Sequence, residues 1–327
     1  MSELYPMKFS PIFKDKIWGG QKIRTVLNQQ FSPLPNCGEV WVLSGVDENQ
    51  TAVVNGFLEG NDLNELVEVY MGDLVGEKIY QKFGNEFPIL VKFIDANDWL
   101  SIQVHPDDKL AWMRHQCLGK NEMWYILAAD EGSELIAGFS KKVDKKSYQG
   151  HLENKTLKSI MNFEKVHKGD VFYTPAGRVH ALGPGILLAE IQQTSDVTYR
   201  IYDWDRIDHA GMTRELHTDL ALDALDFNLY DNYKTPYDDK LNETVKLIES
   251  PYFVTNILHL DKGLKKDYSQ LDSFVIYIAA EGSFSLKHNG ADYTVNLGEA
   301  ILLPAVLEEV EIHPVKETKI LEVYMVL

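Results

Sequence analysis

The chain has 327 residues, 45% of them hydrophobic and 25% charged, which suits a water-soluble globular protein with room for two domains. Its formal net charge of −17 argues against general nucleic-acid binding, because phosphate backbones require a surplus of Lys and Arg. A few cations focused in a cleft would still admit an anionic small substrate. Cys37 and Cys117 lie far apart without CxxC spacing, so free thiols in a reducing compartment are expected. The N-terminus lacks the basic and apolar regions of a signal peptide, and no apolar run approaches the ~20 residues of a membrane span. A cytoplasmic protein with no membrane partner is the expectation.

Taken in chain order, short β-prone runs bounded by turn residues predict strands over 39–44, 52–55, 89–95, 124–128, 170–174, 186–192 and 273–279. Helical inserts interrupt them. Leu63, Leu66, Val67, Tyr70, Met71 and Leu74 fall at helical spacing behind the caps Asn61 and Asp62. A shorter helix is predicted from Asp107 or Asp108, between His105 and Glu122. Another is predicted from near Thr213, with Leu216, Leu220 and Leu225 on one face. The polar stretch 230–244 reads as a linker. Many short strands with frequent turns predict a mainly β fold of two jelly-roll barrels carrying a few helical inserts.

An internal repeat supports two related units, divided as 1–235 and 236–327. Trp124-Tyr125-Ile126 resembles Ile276-Tyr277-Ile278, and the run from Gly169 to Pro175 resembles that from Gly298 to Pro304. This alignment sets Glu122 against Phe274 and leaves no histidine opposite His180, where Glu308 falls nearest. Chemistry is therefore expected in the first unit, with the second degenerate and structural.

Within the first unit, Pro175-Ala-Gly177-Arg-Val-His180 reads as a sharp turn that aims a histidine from rigid backbone. Strand side chains alternate, so Gln103 and His105 share a face in Gln-Val-His, and Glu122 opens a neighbouring strand. Each alone has a bland alternative: a strand histidine is often a satisfied core residue, and Glu122 has Lys120 within reach. Together, two imidazoles, a carboxylate and an amide make a mixed nitrogen and oxygen site that suits Zn²⁺, with Fe²⁺ or Mn²⁺ tolerated. The other eight histidines, His209 among them, show no such pattern and are expected at the surface or in local caps.

On these residues, with Trp18-Gly19-Gly20, Gly38-Glu39-Val40-Trp41, Leu100 to Asp107, Lys120 to Tyr125, Pro175 to Leu182 and Glu190 to Arg200, the chain resembles the cupins. More closely it is similar to type I mannose-6-phosphate isomerases of the short bacterial form. The likeness implies two cupin-type barrels and one zinc ion per chain, held by Gln103, His105, Glu122 and His180. It implies interconversion of mannose 6-phosphate and fructose 6-phosphate, with Arg200 as the active-site arginine and Arg206 on the substrate phosphate. Aldose–ketose isomerisation moves a proton between C1 and C2 through an enediol, so charge develops on sugar oxygens and a base is required. Candidates for the base are Glu190, Lys120 with a lowered pKa, and metal-bound hydroxide. Lys92 and Ser101, on strands entering the same barrel, are candidate substrate contacts. Arg200 has its own alternative, an ion pair with Asp203 or Asp205. The competing functions are a metal-dependent cupin oxygenase, disfavoured by Gln103 and the two arginines, and a non-catalytic sugar-binding cupin.

Overall fold

Alternation of side chains along short strands builds the molecule, a computed structural model that describes residues 4–207 and 211–327. His209 lies outside those residues. The first eleven strands are β1 (Ile12–Lys14), β2 (Glu39–Leu43), β3 (Ile89–Ala96), β4 (Ile102–Val104), β5 (Glu122–Ala129) and β6 (Glu134–Phe139). They continue with β7 (Met161–Lys165), β8 (Val171–Thr174), β9 (His180–Leu182), β10 (Ile186–Gln193) and β11 (Tyr199–Tyr202). These form a six-stranded sheet, β1-β2-β3-β10-β5-β8, and a five-stranded sheet, β11-β4-β9-β6-β7. The remaining strands are β12 (Thr244–Glu249), β13 (Val254–Leu260), β14 (Leu264–Asp267), β15 (Val275–Glu281) and β16 (Phe284–His288). The last four are β17 (Ala291–Val295), β18 (Ala300–Leu303), β19 (Glu309–Pro314) and β20 (Thr318–Tyr324). They form the sheets β12-β13-β20-β15-β18 and β14-β19-β16-β17.

Packing follows the alternation. Ile94 and Ala96 of β3, Trp124 and Ile126 of β5 and Leu188 of β10 turn toward Leu135, Ala137 and Leu182 of the five-stranded sheet, making the front interior. The alternate residues Val91, Phe93, Met123, Tyr125, Ala189 and Ile191 face the other way. There they pack on Ile257, Ile276, Ile278, Leu321 and Val323 of the rear unit. Leu258, Tyr277, Leu286 and Ile312 fill the rear interior. Two β sandwiches thus stand back to back, with the fold class as the sequence suggests.

The helices are α1 (Lys22–Thr25), α2 (Leu63–Val75), α3 (Glu77–Phe83), α4 (Asp108–His115), α5 (Lys145–Glu153) and α6 (Thr218–Ala224). In α2, Asp62 and Glu65 form a capping box and Leu63, Leu66, Val67 and Leu74 are buried, but Met71 (φ 47°) breaks the helical path and is 49% exposed. The expected strand at 52–55 reduces to isolated bridges, Ala52 to Asp62 and Phe9 to Val53. The helix expected near Thr213 starts at Thr218, because the residues before it are bound along β11: the His217 amide donates to the Arg200 carbonyl (2.7 Å). The stretch 230–244 is packed rather than free. Tyr233 is buried and donates to the Phe139 carbonyl (2.9 Å), while Tyr237 donates to that of Gly169 (2.8 Å). No helix among the described residues is long and apolar enough to cross a membrane.

Strand register gives the internal repeat a firmer basis and shifts it by one residue. Glu190 of β10 stands between Lys92 and Trp124, and Glu322 of β20 stands between Asn256 and Tyr277. Each pair of central strands carries an irregularity at the corresponding place, at Leu187/Leu188 and at Ala279/Glu281. Gly169 donates to the Ile126 carbonyl and Gly298 to that of Ala279. Trp124 therefore corresponds to Tyr277, and Glu122 to Val275 rather than to Phe274. A slip of one residue exchanges the faces of a strand, which is why Tyr125 points outward while Tyr277 points into its barrel.

Candidate metal centre

The front interior is not filled by apolar side chains alone. His105, Glu122 and His180 are each no more than 1% exposed, and their ligand atoms all lie within 4.8 Å of one another. Three different segments deliver them. Gln103 sits opposite His180 in the β4–β9 pairing, and His105 follows β4. Helix α4 spans the gap to Glu122: Asp107 caps its start by accepting from the Leu110 amide (2.8 Å), and Gln116 ends it in a left-handed conformation (φ 56°). The turn before His180 is tied to the first ligand, since the Gly177 amide donates to the His105 carbonyl (2.9 Å). Gly177 has φ 90°, and a Cβ there would meet the Ala224 carbonyl at 3.0 Å, so the glycine is required.

Both imidazoles are oriented from behind. His105 Nδ1 lies 3.0 Å from the Val197 carbonyl and His180 Nδ1 lies 2.9 Å from that of Arg178. A carbonyl only accepts, so each Nδ1 carries the proton and each Nε2 presents its lone pair inward. Burial is the main cause holding both rings neutral, His105 well below the ordinary range and His180 down to about 4. Glu122 Oε1 lies 3.4 Å from His180 Nε2 and Oε2 lies 3.5 Å from His105 Nε2. Ligands bound tetrahedrally at zinc distances stand about 3.4 Å apart. Glu122 Oε1 is also buried without a hydrogen-bond partner. These residues fit a divalent metal. Gln103 Nε2 faces His180 Nε2 at 3.3 Å while Ser101 Oγ donates to Gln103 Oε1 (3.2 Å). Turning the amide over exchanges the two atoms, placing oxygen on the ligand side and leaving the NH₂ to donate to Ser101.

Around this cluster lies a cavity of about 340 Å³ walled by Lys14, Lys16, Trp18, Glu39, Trp41, Lys92, Ser101, Gln103, Lys120, Trp124, His180, Glu190, Asp196, Thr198, Arg200 and Arg214, among others. Six cationic side chains face three carboxylates in that wall, the reverse of the balance over the whole chain. Lys92 pairs with Glu190 at 3.4 Å, both nearly inaccessible, and Trp124 donates its indole N–H to Glu190 (3.0 Å). Burial works to raise Glu190, but the Lys120 and Lys92 cations overcome it and keep the carboxyl below its ordinary range. Glu39 follows the same logic: despite burial, Lys92 and Lys16 hold it at about 2. Glu122 goes the other way, pushed up by burial and by repulsion from Glu190 despite Lys120.

Lys120 bonds Glu122 Oε2 and lies 3.1 Å from His105 Nε2, so its ammonium already rests on two ligand lone pairs. Burial acts to lower the Lys120 pKa, but the Glu122 and Glu190 carboxylates outweigh it and raise the group. Arg200 pairs with neither Asp203 nor Asp205. It stands opposite Gln103 in the strand register and donates through Nη1 to the Glu215 carbonyl (2.9 Å). Arg206 lies 2.7 Å from Asp203 and 3.5 Å from Asp98, with its Nε and Nη1 buried without hydrogen-bond partners. Lys14, Lys16, Asp196 and Arg214 were missed in the sequence, since each reaches the cavity from a segment without ligand residues.

Two models of known families match separate parts of the chain. Residues 7–160 match the type I phosphomannose isomerase catalytic domain, and residues 243–324 match the mannose-6-phosphate isomerase cupin domain. Mannose-6-phosphate isomerase of Streptococcus mutans is 35% identical over 88% of this chain and 89% of its own length. The chain belongs to the type I phosphomannose isomerase family. Another member, mannose-6-phosphate isomerase ManA of Bacillus subtilis, is 34% identical over 93% of this chain and 94% of its own. The crystal structure of mannose 6-phosphate isomerase from Bacillus subtilis superimposes with a TM-score of 0.87 at 31% identity, covering 98% of this chain and 99% of that one. Family membership and the buried His105, Glu122 and His180 together make this a metal-dependent isomerase rather than an oxygenase or a passive sugar-binding module.

Proposed function

We propose that this chain interconverts mannose 6-phosphate and fructose 6-phosphate with one Zn²⁺ held by Gln103, His105, Glu122 and His180. The observation that carries the reading is the orphaned carboxylate oxygen of Glu122, set between two inward-facing imidazoles at a cavity whose wall is cationic. Residues 1–235 would carry the chemistry, and 236–327 would be their degenerate partner. When bound, zinc supplies a Lewis acid that polarises sugar oxygens.

The protein's own groups divide the remaining work. Glu190 is ionised, faces the cavity and is held by Lys92 and Trp124, so it takes the C2 proton of the aldose and returns it at C1. Lys120, which bonds Glu122 and lies 3.1 Å from His105, supplies a second proton-transfer or charge-stabilising group beside Glu190. Arg200, beside Gln103 in the sheet, stabilises charge that develops on the sugar oxygens. Lys92 and Ser101 position hydroxyls along the wall. A sugar phosphate is the small-molecule partner, consistent with a surplus of cations where the chain as a whole is acidic.

A coupled isomerase assay on mannose 6-phosphate, with chelator and with zinc added back, tests the reading. Turnover should disappear on stripping and return in proportion to bound zinc. Full activity in protein shown to be metal-free would overturn it.

A further inference from the structure

Resting on the sugar-phosphate reading, we infer that Arg214 is the anchor for the substrate's phosphate and that Asp203 is its positioning residue. Arg200 and Arg214 line the cavity, and Arg214 shares one buried carboxylate, Asp203, with Arg206. Asp203 is 6% exposed, accepts from Arg206 Nη2 (2.7 Å) and from Arg214 Nε (2.7 Å), and also bonds Arg214 Nη2. Burial, and then the Arg214 cation, push Arg200 below its ordinary pKa. Arg200 Nε is buried without a partner.

The geometry of the fork separates Arg214 from Arg206. A guanidinium has a lateral edge, Nε with one Nη, and a terminal edge formed by the two Nη groups. Asp203 takes the lateral edge of Arg214, which leaves the terminal edge, the one suited to bidentate phosphate, toward a cavity that Arg214 lines. The Arg214 side chain is 31% exposed, while that of Arg206 is 13% exposed, donates to Asp203 and lies 3.5 Å from Asp98. Of the lysines on the cavity wall, Lys16 pairs with Glu39 and Lys92 with Glu190, while Lys14 donates to the uncharged Asn49.

Position along the wall agrees. Arg200 is in register with Gln103, at the metal end, and its side chain binds the Glu215 carbonyl, which places Arg214 in the adjacent segment. A hexose 6-phosphate reacting at C1 and C2 beside the metal carries its phosphate at the far end of the molecule. Two non-glycine residues in the left-handed region, Trp204 (φ 58°) and Asp205 (φ 54°), directly follow Asp203, and Trp204 is fixed by its indole N–H on the Leu100 carbonyl (2.7 Å). Such strain persists only where the surroundings enforce it, and here it turns the chain immediately after Asp203.

The test compares zinc-loaded wild type with Arg214→Gln, Arg214→Lys and Asp203→Asn, measuring KM and kcat for mannose 6-phosphate and equilibrium binding of mannitol 1-phosphate and of mannitol. Arg214→Gln should raise KM and weaken mannitol 1-phosphate by about ten- to a hundredfold, with mannitol binding and zinc content unchanged. Arg214→Lys should recover part of that loss, and Asp203→Asn should shift the same constants in the same direction by less. Equal weakening of mannitol and mannitol 1-phosphate, or unchanged constants in Arg214→Gln, would overturn the inference. A wild-type enzyme that does not turn over mannose 6-phosphate would sink the isomerase reading instead, and the phosphorylated-against-neutral comparison would still decide the anion site.

Discussion

The two sandwiches share a scaffold down to the register of a central buried carboxylate, yet only the front one is left open. In the rear barrel Glu322 is fully occupied. Asn256 donates to one oxygen (2.8 Å), while Lys266 pairs with the other (2.8 Å) and Tyr268 bonds it as well. In the front barrel Glu190 meets Lys92 and an indole, but its neighbour Glu122 keeps an oxygen without a partner, and the wall carries more cations than carboxylates. The difference teaches that function here is incompleteness. A polar interior is tolerated in both units, and chemistry belongs to the one whose groups are not satisfied by each other.

The largest expected effects come from emptying the front site. Glu122→Ala and His180→Ala should each remove bound zinc, measured by metal analysis, and reduce isomerase activity to background while circular dichroism stays native. Val275, which holds the position of Glu122 in the rear unit, should accept conservative replacement without change in activity. Next comes the matched pair Glu190→Gln and Glu322→Gln. The first should lower kcat by about 10²–10⁴ and alter stability little. The second should leave kcat alone and lower stability by about 1–3 kcal/mol in urea denaturation, because it weakens a closed buried network. If Glu322→Gln impaired turnover as much as Glu190→Gln, the division of labour would be wrong.

Much of the candidate front site was legible because residues at strand spacing share a face, Gln103 with His105, while Glu122 and His180 stand at strand starts. Strands β2, β3, β5, β8 and β10 of the front unit and β15 of the rear one were legible from their β-prone runs between turn residues. What stayed hidden depended on long-range return of the chain. Arg214 reads as the start of a helix until the His217–Arg200 backbone pairing shows its segment lying along β11. Lys14 and Lys16 sit far upstream of every ligand and reach the cavity through pairing of β1 with β2. The one-residue error in aligning the repeats arose because Tyr125 and Tyr277 look alike, whereas the register makes Trp124 the counterpart of Tyr277.

A pH-dependent effect follows from the wall itself. Glu39 stands opposite Ile94 as Thr244 stands opposite Leu258, so a carboxylate occupies in front what is a hydroxyl behind. Its folded pKa of about 2 lies below the ordinary 4.5. A depressed carboxylate stabilises the fold above its unfolded pKa, and that contribution is lost as pH falls from about 4.5 toward 2. Glu39→Gln should therefore cost about 2–3 kcal/mol at pH 7, with the gap to wild type closing below pH 4.5. A gap that stayed constant from pH 7 to pH 3 would mean the loss is packing, not charge.

The smallest contrast isolates packing from backbone. Gly169 and Gly298 occupy corresponding turns, with φ 90° and 81°, and each donates its amide to the corresponding strand. A Cβ at Gly169 would meet only the Tyr237 hydroxyl, at 3.5 Å, whereas at Gly298 it would lie 2.9 Å from Leu27 Cβ and 3.1 Å from Gln29 Nε2. Alanine in the left-handed region costs roughly 1–2 kcal/mol from sterics within its own residue. Gly169→Ala should lose about that much, and Gly298→Ala should lose more, because Leu27 is buried and Gln29 donates to the Gly298 carbonyl (2.6 Å), so neither side chain withdraws freely. The difference between the two losses, read from parallel denaturation curves, measures the crowding alone. Equal losses would show that Leu27 and Gln29 move aside, and that the rear turn is no more tightly packed than its front counterpart.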